Sequence, residues 1–330
     1  MPRCEISLHL EKTDVTYHPG EAVRGEVRVV PSSDSDVECR RLGLNFRWRV
    51  HGKTWMEGPA TTRELFQGTW AGGKACAYPF ELVAPPGPPT YHGTLFSVDH
   101  YLTVEADLAP ANVETSLPEA EILLPPTDGT KYDFGSTYVA SSGGTIEAPG
   151  APFSWWILSP FVLACGGMAF VQHPALGITF AVVVASLVTW SWWRRRAVGR
   201  MGVVLVSREP DPVRIGGEIA VGVDIRPDGR IVLEEARARL VGREKVSIRT
   251  GTDRITPTRD IHSGGWVVLA GDAGGSPEQP LALHGTLSVP KYAAPTFLSP
   301  ESELTWRVEV SMQIEGAPEW QGEYGITVRP

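Results

Sequence analysis

The sequence predicts an all-β protein of two β-sandwich domains joined by an α-helical transmembrane hairpin. Short alternating apolar and polar segments on both sides of the centre predict the sandwiches, and the two sides resemble each other. An uncharged apolar run in the middle predicts the hairpin. The predicted organisation is a β-sandwich at 1–126, a flexible Gly/Ser/Thr-rich linker at 127–152, the hairpin at 153–193, a basic juxtamembrane collar at 194–200 and a second sandwich at 201–330.

The apolar run at 153–193 contains no Asp, Glu, Lys or Arg. About 20 apolar residues span a bilayer as a helix, so the run is long enough for two passes. Gln172, His173 and Pro174 interrupt it at the midpoint, where the chain would reverse. A buried helical hairpin of a large soluble domain is the alternative, which the length and continuity of the run disfavour.

The flanks of this run predict its orientation. Tryptophans at both ends would share one interfacial belt, and the arginines that follow favour a cytoplasmic position for that end. The residues predicted at the membrane interface are Trp155, Trp156, Trp190, Trp192, Trp193, Arg194, Arg195, Arg196 and Arg200. The first residues show no signal-peptide pattern. We therefore expect a multi-pass protein of the inner (plasma) membrane, with the lipid bilayer as a partner and both sandwiches in the cytoplasm.

Small residues recur in both predicted helices and would allow close helix packing. They are Gly166, Gly167, Gly177, Ala181, Ala185 and Thr189. Packing within the hairpin is favoured over the alternative, self-association into a homo-oligomer.

The clearest strand of the first domain is 42–50. Leu42, Leu44 and Phe46, with Trp48 and Val50, lie on one face of this strand, and polar residues occupy the other. Seven or more such short segments, none with a sustained helical period, predict a β-sandwich.

Four segments of the first domain carry a family resemblance. They are 15–27 (VTYHPGEAVRGEV), 78–80 (YPF), 88–93 (PPTYHG) and 101–104 (YLTV). In this order, and with Gly52 after the long strand, they resemble the arrestin-like family. The resemblance implies two β-sandwich lobes that bind segments of other proteins along sheet edges or in the cleft between lobes.

The second domain repeats parts of the first. Segment 213–223 (VRIGGEIAVGV) resembles the first hairpin, 294–297 (APTF) resembles 88–91, and 305–310 (TWRVEV) resembles 100–104. Segment 239–242 (RLVG) resembles Arg49–Gly52 (RVHG). The repeat predicts a strand at 233–240, although its residues favour a helix.

Composition excludes several classes of function. Lys and Arg number 30 against 38 Asp and Glu, giving a net charge of −8 without a basic stripe, so nucleic-acid binding is not expected. Arginine outnumbers lysine, which indicates a GC-rich bacterial genome. Cys4, Cys39, Cys76 and Cys165 show no metal-ligand spacing, and the histidines show no HxxxH pattern. We expect no disulfide, metal or other cofactor.

Two motifs suggest activities that the pattern does not favour. Ser97, Asp99 and His100 have the residue types of a hydrolase triad, but on one strand His100 points away from the other two. Residues 88–91 (PPTY) match a WW-domain ligand, yet they fall on the turn that the family resemblance makes structural. The lysine pair with which visual arrestins sense phosphate is missing from the first strand. We therefore expect no enzyme.

These observations predict a membrane-anchored arrestin-like scaffold or adaptor that binds protein partners at the cytoplasmic face of the inner membrane. The alternative is a structural subunit of a membrane transport or envelope complex, in which the hairpin is the working part.

Overall fold

A computed structural model describes residues 4–31, 36–53, 55–109, 117–126, 186, 189, 200–250 and 253–330. They form two lobes made of strands. The strands of the first lobe are β1 (Cys4–Leu10), β2 (Ala22–Pro31), β3 (Val37–Gly52), β4 (Met56–Glu57), β5 (Thr61–Trp70), β6 (Cys76–Val83), β7 (Tyr91–His92), β8 (Phe96–Ala109) and β9 (Glu119–Ile122).

The second lobe follows the same plan with a few additional short strands. Its strands are β10 (Val203–Glu209), β11 (Val213–Arg214), β12 (Glu218–Arg226), β13 (Ile231–Val246), β14 (Ile248–Thr250), β15 (Asp253–Ile255), β16 (Thr258–Ser263), β17 (Val267–Gly275), β18 (Leu281–Ser288), β19 (Phe297–Leu298), β20 (Ser302–Ile314), β21 (Trp320–Ile326) and β22 (Val328–Arg329).

Each lobe consists of a small sheet facing a large one. In the first lobe the small sheet has the order β1-β2-β6, and the large one has the order β4-β3-β8-β7, with β5 also on β3 and β9 on β8. In the second lobe the corresponding orders are β10-β12-β18 and β16-β13-β20-β19, with β17 on β13 and β21 on β20. Apolar side chains from both sheets form one core in each lobe.

Strand β3 shows how the pattern of the sequence produces the two faces. Leu42, Leu44 and Phe46 are buried in the core of the first lobe, as alternation requires. On the other face Arg47 and Arg49 are only partly exposed, because both pair with Glu57. The outer face of the large sheet is therefore a layer of paired charges.

The central strands of the two lobes correspond residue by residue. β3 and β13 have 16 residues each, and both pair with the following long strand in the same antiparallel register. Gly242 on β13 therefore corresponds to Trp48 on β3. The sequence comparison, which matched Gly242 with Gly52, was wrong at this point. Residues 233–240 lie on β13, so sheet pairing overrides their helical propensity.

A pair of hydrogen bonds that holds the proline-rich segment also occurs in both lobes. Thr90 exchanges two hydrogen bonds with Leu124, through its N–H (2.8 Å) and its hydroxyl (2.9 Å). Thr296 makes the same pair of bonds with Val328, both at 2.9 Å. The segment after the proline-rich turn is thus held in the same way in both lobes.

The transmembrane hairpin predicted at 153–193 needs correction. Among the described residues no helix has the length and apolar character required to cross a membrane. Apart from Ser186 and Thr189, the predicted hairpin lies outside these residues. Hydropathy measures the cost of placing a segment in hydrocarbon, and does not measure whether a continuous hydrogen-bonded helix forms.

The predictions that depended on the hairpin are corrected with it: the α-helical part of the fold class, the bilayer as a partner and the multi-pass inner-membrane location. Of the predicted interface residues, Arg200 is described and lies exposed at the start of the second lobe. The others lie outside the described residues, namely Trp155, Trp156, Trp190, Trp192, Trp193, Arg194, Arg195 and Arg196. Of the predicted helix-packing residues Thr189 is described, and Gly166, Gly167, Gly177, Ala181 and Ala185 are not.

Candidate functional site

The two lobes meet at an apolar joint built from the ends of their large sheets. Phe297 of the second lobe packs against Trp48, with ring centres 6.2 Å apart, and against Phe96, at 5.7 Å. The buried residues of the joint are Val50, Leu95, Phe96 and Val98 from the first lobe and Val246, Phe297 and Leu304 from the second. Because both lobes contribute to one buried cluster, they pack as a unit.

One carboxylate lies inside this joint. Glu244 on β13 is fully buried and accepts hydrogen bonds only from first-lobe groups among the described residues. The Tyr91 hydroxyl donates at 2.5 Å, the Thr94 N–H at 3.1 Å and the Leu95 N–H at 3.0 Å. A buried carboxylate is tolerated when its oxygens are satisfied in this way. Glu244 therefore fixes the turn between β7 and β8 against the second lobe.

The same contact changes the acidity of Tyr91. Burial raises the pKa of this phenol well above its ordinary value, and the hydrogen bond and the negative charge of Glu244 raise it further. Each effect favours the protonated phenol, the form that can donate to Glu244. The tyrosine is thus held as a hydrogen-bond donor.

A cleft of about 400 Å³ opens beside the joint. Strand β7, which ends at His92, and the turn after it, which includes Thr94, form the first-lobe wall of the cleft. Strand β16 and the loop after β18 form the second-lobe wall, where Tyr292 is 79% exposed and its hydroxyl lies 3.3 Å from His262 Nδ1. Burial lowers the pKa of His262. The cleft combines aromatic, imidazole and charged groups, a mixture suited to a peptide segment.

A second cluster of side chains, centred on Asp99, lies on the outer face of the first lobe. Asp99 is 3% exposed, and each of its carboxylate oxygens meets a histidine. His92 Nε2 is 2.6 Å from Oδ1, and His51 Nε2 contacts Oδ2. The ligand atoms of His92, Asp99 and Glu121 lie within 4.8 Å of one another. This is the one group of at least three His, Cys, Asp or Glu side chains in the described part of the chain that is close enough to hold a metal ion.

The residues of the predicted hydrolase alternative do not converge. Ser97 and Asp99 share the outer face, whereas His100 is buried on the inner face and its Nε2 donates to Pro88 O at 2.7 Å. Burial lowers the pKa of His100, although the Pro88 carbonyl and the charge of Asp99 act in the opposite direction. His100 thus serves the packing of the proline-rich turn.

The proline-rich turn itself is occupied within the protein. Pro88 and Pro89 are buried, and the Tyr91 hydroxyl is bound to Glu244. A WW domain would need these side chains free, so the structural interpretation of 88–91 fits the contacts.

The cysteines contribute nothing to either group. Cys4, Cys39 and Cys76 carry free thiols, and burial raises the pKa of Cys39 to about 11. Cys165 lies outside the described residues.

Sequence reasoning missed both the buried Glu244 and the Asp99 group. Glu244 stands in an alternating strand as an ordinary charged residue, and it is unusual only because it is buried and bound to groups of the other lobe. The Asp99 group draws on β3, β7, β8 and β9, so no local spacing reveals it. The register of the strands brings this cluster together, because His51 on β3 and His92 on β7 both pair with Ser97, one on each side of β8.

Comparison with models of known protein families gave no match for this chain, and comparison with curated proteins gave no significantly similar sequence.

Proposed function

We propose that this chain is a non-catalytic, arrestin-like scaffold that binds a segment of a protein partner in the cleft between its lobes. The observation that carries the proposal is the joint: a fully buried carboxylate of one lobe is satisfied by donors of the other, directly beside a cleft with walls from both. A partner in this cleft would contact both lobes at once.

The arrestin-like part of the proposal rests on the four motif segments and on their positions in the fold. The glycine of the first hairpin, Gly20, and its counterpart Gly216 both have positive φ (83° and 76°). This conformation favours glycine and explains its place in the motif. The turn at 88–91 meets the second lobe through Tyr91, so the motif that suggests the family also builds the joint.

The character of the cleft favours a protein segment over a small molecule. It is open, it is lined by backbone and by side chains of mixed character, and Tyr292 stands exposed on its rim. Exposed aromatic residues are typical anchors of protein interfaces.

Site-specific photo-crosslinking tests this proposal in cells that contain the full chain. A photoreactive phenylalanine derivative at position 292 is expected to form an adduct with a partner protein. The same residue at position 83, which is 60% exposed on β6 of the first lobe, is the control and should not form that adduct. An adduct with a second copy of the chain would indicate self-association instead.

A second variant tests whether both lobes are needed. Thr94 has an exposed side chain on the first-lobe wall, so Thr94→Trp should fill the cleft and abolish the adduct at position 292. An adduct that survives Thr94→Trp would show that the second lobe alone binds the partner, and equal adducts at positions 292 and 83 would contradict specific binding in the cleft.

A further inference from the structure

We propose that His92, Asp99 and Glu121 bind one divalent first-row transition-metal ion, with Zn²⁺ as the best fit, and that His51 positions Asp99 for it. This proposal concerns the outer face of the first lobe, next to the cleft, because His92 also lines the first-lobe wall of the cleft. It does not depend on the binding of a protein partner there.

The geometry is near to that of a metal site. Three ligand atoms of two chemical types, one imidazole nitrogen and two carboxylate oxygens, lie within 4.8 Å of one another. Zn–N and Zn–O bonds of about 2.0 to 2.2 Å in a tetrahedral site separate neighbouring ligand atoms by about 3.3 Å. His92 Nε2 and Asp99 Oδ1, now 2.6 Å apart, would need to separate by roughly 0.7 Å. The His92 side chain is 61% exposed and is free to rotate by that amount.

The burial of Asp99 also favours a cation. Its side chain is only 4% exposed, and a buried carboxylate requires charged or hydrogen-bonding partners. The guanidinium of Arg49, which is opposite Asp99 in the sheet, pairs with Glu57 and Glu119 and lies over the Tyr101 ring. Among the described residues, the groups bound to Asp99 are the two imidazoles.

His51 has the role of a positioning residue. It contacts the second oxygen of Asp99, whereas His92 contacts the first. A group that holds the outer oxygen of a metal-binding carboxylate orients the inner one, and such partners commonly change metal affinity by about 10- to 100-fold.

The second lobe shows that the fold does not require this group. The same sheet positions there hold Lys245, Leu298, Thr305 and Gly325, in place of His51, His92, Asp99 and Glu121. None of these four residues offers a usual zinc ligand, and Lys245 instead pairs with Glu303 at 3.3 Å. The sheet therefore forms equally with a simple ion pair at this place.

The choice of metal follows from the ligands. Imidazole nitrogen suits Zn²⁺ and its neighbours in the first transition row, whereas Ca²⁺ and Mg²⁺ prefer oxygen alone. Three protein ligands leave a fourth position, which faces solvent because His92 and Glu121 are exposed.

Titration of the metal-stripped full chain with Zn²⁺ tests the proposal by calorimetry, and Co²⁺ provides an absorption signal for the coordination geometry. We expect saturable binding that an excess of Mg²⁺ does not displace. His92→Gln and Glu121→Gln, both at exposed positions, should each weaken this binding by at least about tenfold. His9→Gln, at an exposed position on β1 of the same lobe, is the matched control and should bind as the unchanged chain does.

Asp99→Asn is the stronger test if circular dichroism shows that it folds, and His51→Gln should weaken binding while preserving the Co²⁺ spectrum. Zn²⁺ affinity that is the same in His92→Gln, Glu121→Gln and the control would overturn the proposal and leave a His–Asp–His hydrogen-bonded group. The titration uses no protein partner, so its failure would not affect the scaffold proposal, and a failed cross-link would not affect the metal site.

Discussion

The two lobes have the same strand register, but at one pair of facing positions the large aromatic side chain is on the first strand in one lobe and on the second strand in the other. In the first lobe Trp48 lies opposite His100, and in the second Gly242 lies opposite Trp306. The tryptophan is on β3 in the first lobe and on β20 in the second, where Gly242 leaves space for the ring of Trp306. His100 and Trp306 nevertheless make the same bond, from a ring N–H to the carbonyl of Pro88 (2.7 Å) or Ala294 (2.9 Å).

The joint between the lobes also has different side chains at corresponding positions. Val50 and Glu244 occupy corresponding positions at the ends of β3 and β13, and both are fully buried. Tyr91 and Phe297 likewise correspond at the starts of β7 and β19. In one half of the joint Tyr91 and Glu244 form a hydrogen bond, and in the other half Phe297 and Val50 belong to the buried apolar cluster. Corresponding positions of the repeated backbone therefore lie at the contact between the lobes, and the side chains at these positions differ.

The largest expected effect on stability comes from replacing Glu244 by valine, the residue at the corresponding position 50 of the first lobe. Glu244→Val leaves the Tyr91 hydroxyl and the N–H groups of Thr94 and Leu95 without their acceptor. A buried unsatisfied donor costs about 1 to 3 kcal/mol, so we expect the free energy of unfolding to fall by about 3 kcal/mol or more. Urea unfolding measures this loss. A loss of less than about 1 kcal/mol would mean that the joint does not exclude water.

Tyr91→Phe should cost less, because it removes a single hydrogen bond and keeps the ring. A hydrogen bond to a charged group contributes about 1.5 to 3 kcal/mol. The raised pKa of Tyr91 means that its stabilising contribution is complete below the unfolded value of about 10 and is lost as the pH rises from there towards the folded pKa. The unchanged chain should therefore lose more stability than Tyr91→Phe between about pH 10 and pH 11. Parallel losses in the two proteins would contradict the contact with Glu244.

Gly242→Ala tests the exchanged tryptophan. A Cβ atom at this position would lie 2.9 Å from the Trp306 ring, closer than a carbon contact allows. Forcing the ring to shift should cost about 1 to 3 kcal/mol in thermal or urea unfolding. Gly271→Ala is the matched control, since its nearest neighbouring atom would be the Glu234 carbonyl oxygen at 3.6 Å, and its effect should stay within about 0.5 kcal/mol. Equal effects of the two substitutions would show that Trp306 is not confined.

The smallest expected effect at neutral pH is that of His100→Phe, which loses one hydrogen bond worth about 1 kcal/mol. Burial lowers the pKa of His100, and its buried Nδ1 has no hydrogen-bond partner among the described residues. The contribution of neutral His100 is present above the unfolded value of about 6.5 and is lost as the pH falls from there towards the folded pKa. Below about pH 6.5 the unchanged chain should therefore lose stability more steeply than His100→Phe. Trp306, the second-lobe counterpart, does not titrate.

Comparison of unfolding between pH 7 and pH 5 measures this difference and cancels the contribution of His262, which both proteins retain. Identical slopes would show that the pocket of His100 admits water.

Local pattern predicted the strands and failed at the centre of the chain. Alternation at Leu42, Leu44 and Phe46 predicted a buried face because side chains of a strand point to opposite sides of the sheet. The repeat predicted a strand at 233–240 against local propensity, because the sequences on either side resembled those of the first lobe. The apolar run at 153–193 suggested a membrane hairpin because hydropathy responds to composition and not to backbone structure, and that prediction was wrong.

The sequence by itself determined the strand periodicity, the repeated turns around Pro88–Tyr91 and Ala294–Phe297, and the net charge of −8. These are local or compositional properties, which short spacings express directly. Tertiary structure alone decided that Glu244 is buried between lobes, that Trp48 corresponds to Gly242, and that His51, His92, Asp99 and Glu121 meet. Each depends on register between strands distant in sequence, and a shift of one residue would turn these side chains to the opposite face of the sheet.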